Sequence, residues 1–129
     1  MNMESSEIFG RLGFTTAWVD AGVITESILR HFDHECERTR DPNPEHYRWK
    51  AFQSYVRHEQ DLNPEGVEKL FDLALKEAND KLSAAMVGAV LNHSNCPATC
   101  LETARTLPQA HLTELADAII RRRGEIQPT

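Results

Sequence analysis

Leu62-Asn63-Pro64-Glu65-Gly66-Val67-Glu68-Lys69-Leu70-Phe71-Asp72-Leu73-Ala74-Leu75 is the stretch whose reading decides the fold. Val67, Leu70, Phe71, Ala74 and Leu75 recur at the spacing of one helix face. Asn63 has the short side-chain acceptor that a helix N-cap uses, and Pro64 suits the first helical position, where its missing N–H has no partner to lose. Period and punctuation agree on a helix beginning at Pro64.

The same grammar extends in both directions. Ser5 or Ser6 is the expected cap of a short first helix ending near Gly10 or Gly13, and Ala17 to Ala21 reads as a further short turn stopped by Gly22. Thr25 precedes a helix carrying Ile24, Ile28, Leu29 and Phe32 on one face, which fades into the charged stretch Glu35 to Asp41. Asp41-Pro42-Asn43-Pro44 is a break, followed by a helix rich in aromatics: Tyr47, Trp49, Phe52 and Tyr55. On it, Phe52, Val56 and Trp49 are expected to face the core. After a turn at Ala78-Asn79-Asp80, Leu82, Ala85, Met86, Ala89 and Val90 form the next stripe, with Gly88 inside it. A helical Gly costs about 1 kcal/mol against Ala, which suggests close approach of another helix there. Asn92 to Pro97 is the next break. Cys100, Leu101 and Ala104 mark a short helix ending near Thr106-Leu107-Pro108, and Leu112, Leu115, Ala116, Ile119 and Ile120 form the last stripe, which Gly124 is expected to stop.

These segments group into three pairs, 25–58, 64–92 and 97–122, with an N-terminal cap over 1–22 and a tail over 124–129. Ile28-Leu29, Leu70-Phe71 and Cys100-Leu101 share a register in the first helices; Ala51-Phe52, Ala85-Met86 and Leu115-Ala116 share one in the second. Val56, Val90 and Ile120 close each stripe. The expected fold is all-α: a single helical-repeat domain over 1–129, an α-solenoid-like stack of about three helical hairpins. A lone hairpin cannot bury both faces of its helices, so neighbours stack and share a core.

Ala89-Val90-Leu91-Asn92-His93-Ser94-Asn95-Cys96-Pro97-Ala98-Thr99-Cys100-Leu101-Glu102-Thr103-Ala104 resembles the variant leucine-rich repeat family, whose helical repeats carry an Asn-Cys-Pro-x-x-x-Leu stretch between two helices. Asn63 to Leu70 is a weaker echo without the Cys, and more loosely the chain is similar to HEAT-type helical repeats. The resemblance implies stacked helices and transfers no catalytic residue.

The bulk composition is that of a globular protein: 129 residues, 40% hydrophobic and 26% charged, with six Gly and six Pro. A net charge of −6 argues against a nucleic-acid partner. The basic run Arg121-Arg122-Arg123 sits near a helix C-terminus, where the helix dipole already favours positive charge. Three cysteines, an odd number, together with a polar, acidic start, lead to the expectation of a cytoplasmic protein in a reducing compartment. No apolar run reaches the ~18 residues of a membrane span.

Residues with chemical potential are few. His31, His34 and Cys36 are closely spaced, and His93, Cys96 and Cys100 form a second group. Imidazole and thiolate suit zinc, yet neither group has paired Cys-x-x-Cys spacing, and buried packing of the cysteines is the favoured reading. Cys36 with His34, or Cys96 with His93, lacks a third orienting group and an oxyanion site, and His46 and the His58-Glu59 pair stand isolated. Gly10-Arg11-Leu12-Gly13 is too short for a phosphate loop. Glu65, Glu68, Asp72, Glu77 and Asp80 read as a solvated acidic face.

The sequence therefore favours a non-enzymatic protein-interaction module, an adaptor or inhibitor, with no cofactor. Its expected partner-binding surface is Tyr47, Arg48, Trp49 and Tyr55, residue types that dominate interface hot spots, engaging another protein or a second copy of this chain. The alternatives are a zinc-binding or zinc-stabilised regulatory domain and a small enzyme without a recognisable motif.

Overall fold

The structure, a computed structural model, describes residues 3–40, 43–59 and 61–126. Asp41 and Pro42 of the first break, and the last three residues of the expected tail, lie outside the described residues. The described residues form eight α-helices and no strand: α1 (Met3–Arg11), α2 (Thr16–Asp20), α3 (Glu26–Thr39), α4 (Pro44–His58), α5 (Pro64–Leu75), α6 (Asp80–Leu91), α7 (Ala98–Ala104) and α8 (Ala110–Ile126). The chain is all-α.

The helix starts obey local chemistry. Asn63 Oδ1 accepts from the Gly66 N–H at 2.8 Å and Asn79 Oδ1 from the Leu82 N–H at 3.0 Å. Thr25 Oγ1 accepts from Ile28 N–H at 3.3 Å, and Asn43 Oδ1 from His46 N–H at 3.3 Å. Each cap satisfies one of the donors a helix N-terminus leaves open.

The stops are less uniform. Gly13 (φ +81°) and Gly22 (φ +80°) take the left-handed conformation and turn the chain after α1 and α2. Gly124 does not; α8 runs through it to Ile126, so the expected stop at that glycine is corrected. A glycine permits a left-handed turn without enforcing one. α1 begins at Met3, which places Ser5 and Ser6 inside the helix and not at its cap.

The chain divides into two compact units, residues 1–58 and 59–129. In the first, α1 packs on α3. Its core is aromatic. Phe14 meets Trp18 edge-on at 5.0 Å and stacks with Phe32 at 6.4 Å; Trp18 meets Phe52 edge-on at 6.0 Å; Phe32 lies 5.1 Å from Tyr47. Offset and edge-to-face ring pairs of this kind add to the stabilisation from burial. The expected N-terminal cap thus supplies core residues, among them Ile8, Leu12, Phe14 and Trp18.

In the second unit, α5 packs on α6, α6 on α8 and α7 on α8. Val67, Leu70, Phe71 and Ala74 are buried as the period requires, but Leu75 is 39% exposed and Leu73 is buried in its place. On α6 the buried face is Leu82, Met86, Val87, Val90 and Leu91, with Ala85 exposed. Small alanines fit either face, so the heavier side chains choose the orientation.

Gly88 is not demanded by a close helix approach. A Cβ there meets only Leu112 Cδ2, at 3.9 Å, an ordinary contact. Gly88→Ala is therefore expected to raise stability by about 0.5–1 kcal/mol in urea titration, through the lower backbone entropy of the unfolded chain. Asn63→Ala and Asn79→Ala, each removing a cap, are expected to lower it by about 1 kcal/mol in the same measurement.

Candidate functional site

The recess with the most convergent chemistry lies in the first unit, along α3 and the start of α4. Two adjoining hollows form it: one of about 660 Å³ lined by His31, His34, Glu35, Glu37 and Arg38, the other of about 510 Å³ lined by Glu35, Arg38, Thr39, Asn43, His46, Tyr47 and Lys50. Glu35 and Arg38 line both. Helical geometry puts His31, Glu35 and Arg38 on one side of α3, and His46 and Lys50 on one side of α4.

Glu35 is the hub. Lys50 Nζ donates to its two carboxylate oxygens at 3.2 and 3.0 Å, and His31 Nε2 lies 3.3 Å from Oε1. The Lys50 ammonium holds the Glu35 carboxyl below its ordinary value, against a smaller opposing effect of burial. Arg38, His34, His46 and Asn43 are exposed around it. Tyr47 forms the buried floor at 3% exposure. Burial pushes its phenol up, the Cys36 side chain adds in the same direction, and Thr39 opposes.

Two residues expected on a partner-binding surface are instead internal. Tyr47 packs on Phe32, and Arg48, 9% exposed, donates from Nη1 to the Leu12 carbonyl at 2.8 Å beneath the Gly13 turn. That guanidinium fills the place a Gly13 Cβ would need: the atom would stand 2.5 Å from Nη1. Trp49 is half-buried, not in the core as expected, and so is Tyr55. Six residues of helix rotate Trp49 and Tyr55 about 120° apart at 100° per residue, so they do not share a face. Tyr55 lies against Gly22, whose added Cβ would sit 3.4 Å from the phenol oxygen.

The first cysteine–histidine group does not converge. His31 and His34 are exposed at the groove, whereas Cys36 is buried beside Tyr47. In the second unit His93 is 5% exposed and acts as a bracket. Its Nδ1 accepts from the Asn95 N–H at 3.0 Å, which leaves Nε2 as the protonated nitrogen, 3.3 Å from the Glu59 carbonyl. Asn95 Nδ2 donates to the Leu62 carbonyl at 2.7 Å, and Arg123 Nη1 to the Cys96 carbonyl at 2.7 Å. Cys96 and Cys100 are buried next to each other. Among the described residues, no group of three or more His, Cys, Asp or Glu is placed to share a metal ion.

The sequence pattern missed Glu35, Arg38, Asn43, His46 and Lys50 as a group. The i, i+4 spacing of His31 and Glu35 was visible, but the pairing of Glu35 with Lys50 joins α3 to α4 across 15 residues and leaves no local period. Among the described residues no helix is long and apolar enough to cross a membrane. Set against protein families, characterised proteins and solved structures, the chain matches none.

Two outcomes follow from this geometry. Arg48→Ala leaves the Leu12 carbonyl without its buried donor and is expected to cost about 2–3 kcal/mol of stability by urea unfolding. Glu35, held below the ordinary carboxylate range in the folded protein, stabilises the fold above its unfolded value, and the contribution is lost as pH falls through the lower folded value. The melting-temperature gap between the native protein and Lys50→Ala is accordingly expected to be widest near neutral pH and to close as acidification passes through the lowered Glu35 value. A gap independent of pH contradicts the assignment.

Proposed function

We propose that this protein is a non-enzymatic protein-interaction module, an adaptor or inhibitor, that receives a polar, mixed-charge segment of another protein in the α3–α4 groove. The observation that supports this most is the make-up of the groove. It presents an acidic hub at Glu35, cations at Arg38 and Lys50, the imidazoles of His31, His34 and His46, and the Asn43 amide along one open recess. Small-molecule sites are typically enclosed and mostly apolar, with a few polar groups fixing orientation. An open recess carrying charges of both signs suits an extended polypeptide, whose own charges and amides can pair along its length.

The helical-hairpin register seen in the sequence supports the same reading, since repeat architectures offer extended surfaces without a deep pocket. Trp49 and Tyr55 are half-buried on different faces of α4, and this reading does not rest on them. Tyr47 and Arg48 serve the fold and contribute only indirectly, by fixing α3 and α4.

The test is site-specific photo-crosslinking in the native cell. A photoreactive residue at His34 is expected to yield a discrete protein adduct that Arg38→Glu abolishes, whereas the same residue at the exposed Glu65 on α5 gives none. Equal adducts from both positions, or none from His34, would sink the proposal.

A further inference from the structure

Cys96 and Cys100 are both about 2% exposed, and their thiols lie within hydrogen-bonding reach of one another. They stand on either side of the start of α7: Cys96 in the irregular turn, with Pro97 as N-cap, and Cys100 in the first helical turn. The Cys96 Sγ also approaches the Pro97 carbonyl, at 3.8 Å. Cys36, by contrast, is buried in the other unit, beside a phenol.

From this juxtaposition we propose that Cys96 and Cys100 are a thiol–disulfide modification site, closed by exchange with a small-molecule disulfide of the glutathione class. The turn carrying Cys96 lies outside any helix, so its sulfur can move onto its neighbour without unwinding a helical hydrogen bond at its own position. α7 is the weak element that admits the oxidant. It has only seven residues, and its N-cap makes no side-chain hydrogen bond.

The order of attack follows from the surroundings of each sulfur. Burial raises both thiols, and Cys100, facing Cys96 and the Glu68 and Asp72 carboxylates, is pushed up to about 12. At Cys96 burial is opposed by the Arg123 guanidinium. Cys96 is therefore the first thiolate to form. It attacks one sulfur of the oxidised glutathione, expelling one glutathione thiolate and leaving a mixed disulfide on Cys96. The Cys100 thiol then gives up its proton to solvent and attacks the Cys96 sulfur, expelling the second glutathione. Two protein thiols are oxidised to one disulfide, and one glutathione disulfide is reduced to two thiols.

Closure changes more than the two sulfurs. The carbonyl of Cys96 is the acceptor for Arg123 on α8, and Asn95, one residue before, ties down Leu62. A shift of Cys96 toward Cys100 thus pulls on the brackets that join the α6–α7 turn to α8 and to the start of α5.

The experiment incubates the full-length reduced protein with oxidised glutathione, quenches with an alkylating agent and maps the products by mass spectrometry. The expected product is a monomer lighter by two hydrogens, with Cys96 and Cys100 joined by a disulfide within a single peptide and Cys36 alkylated only after denaturation. Cys100→Ala is expected to stop at the glutathione adduct on Cys96, while Cys96→Ala carries at least tenfold less adduct on Cys100. Circular dichroism of both variants verifies that the helices persist; if either fails to fold, Arg123→Gln, expected to slow Cys96 modification severalfold, takes its place. The proposal is overturned by an intermolecular disulfide as the main product, by modification of Cys36 at a comparable rate, or by a native protein unchanged under conditions that oxidise a thiol peptide.

Discussion

Short helices create many ends, and every end packed against apolar neighbours leaves carbonyls that must find a donor away from water. This chain answers with side chains sent back from later elements. Arg48 on α4 closes the Leu12 carbonyl; Asn95 and His93 close those of Leu62 and Glu59; Arg123 on α8 closes that of Cys96. Ser83 does the same for the Ala74 carbonyl at 2.7 Å, tying α6 to the end of α5. Within each compact unit, these bonds fix where one helix leaves off and how the next is approached. Net hydrogen bonds contribute modestly, but a buried carbonyl without a donor costs about 1–3 kcal/mol, so the buried Arg48–Leu12 bond is held in place by what its loss would expose, while the Asn95–Leu62 bond, which is exposed, contributes less.

The first unit shows how this constraint selects residue type. The left-handed turn at Gly13 leaves a space only as wide as a missing Cβ, and the Arg48 guanidinium occupies it. Around that turn, Phe14, Trp18, Phe32, Tyr47 and Phe52 interlock by edge, stacked and tilted contacts. An aromatic with a polar tip, such as Tyr47, can then line the core with its ring and the groove with its rim. The groove and the core share a wall, so the positions of Glu35 and Lys50 rest on the same packing that buries Phe32.

Burial and chemistry separate in the second unit. His93 has the composition of a ligand or a base, yet both ring nitrogens are engaged with backbone groups, and its task is to shape the turn. The cysteines beside it are the opposite case. They pack as small apolar groups, while their adjacency gives them a chemistry that neither has alone.

The sequence by itself determined the helical class, the order of the elements and most of their starts, because a helix face repeats every three to four residues and a cap acts on an N–H two or three residues away. Asn63 and Thr25 are legible for that reason, whereas Asn79 reads only as part of a turn. Which face each marginal residue takes was decided only by tertiary structure. Leu75 and Ala85 obey the period and still face solvent, Gly124 reads as a stop and still lies within α8, and Tyr47 and Arg48 look like a surface pair and are buried. The groove belongs wholly to this second category. Its charges come from α3 and α4, and Glu35 meets Lys50 across 15 residues of chain. Local spacing carries no record of such a meeting, since the physical cause is the packing of one helix on another and not the pitch of either.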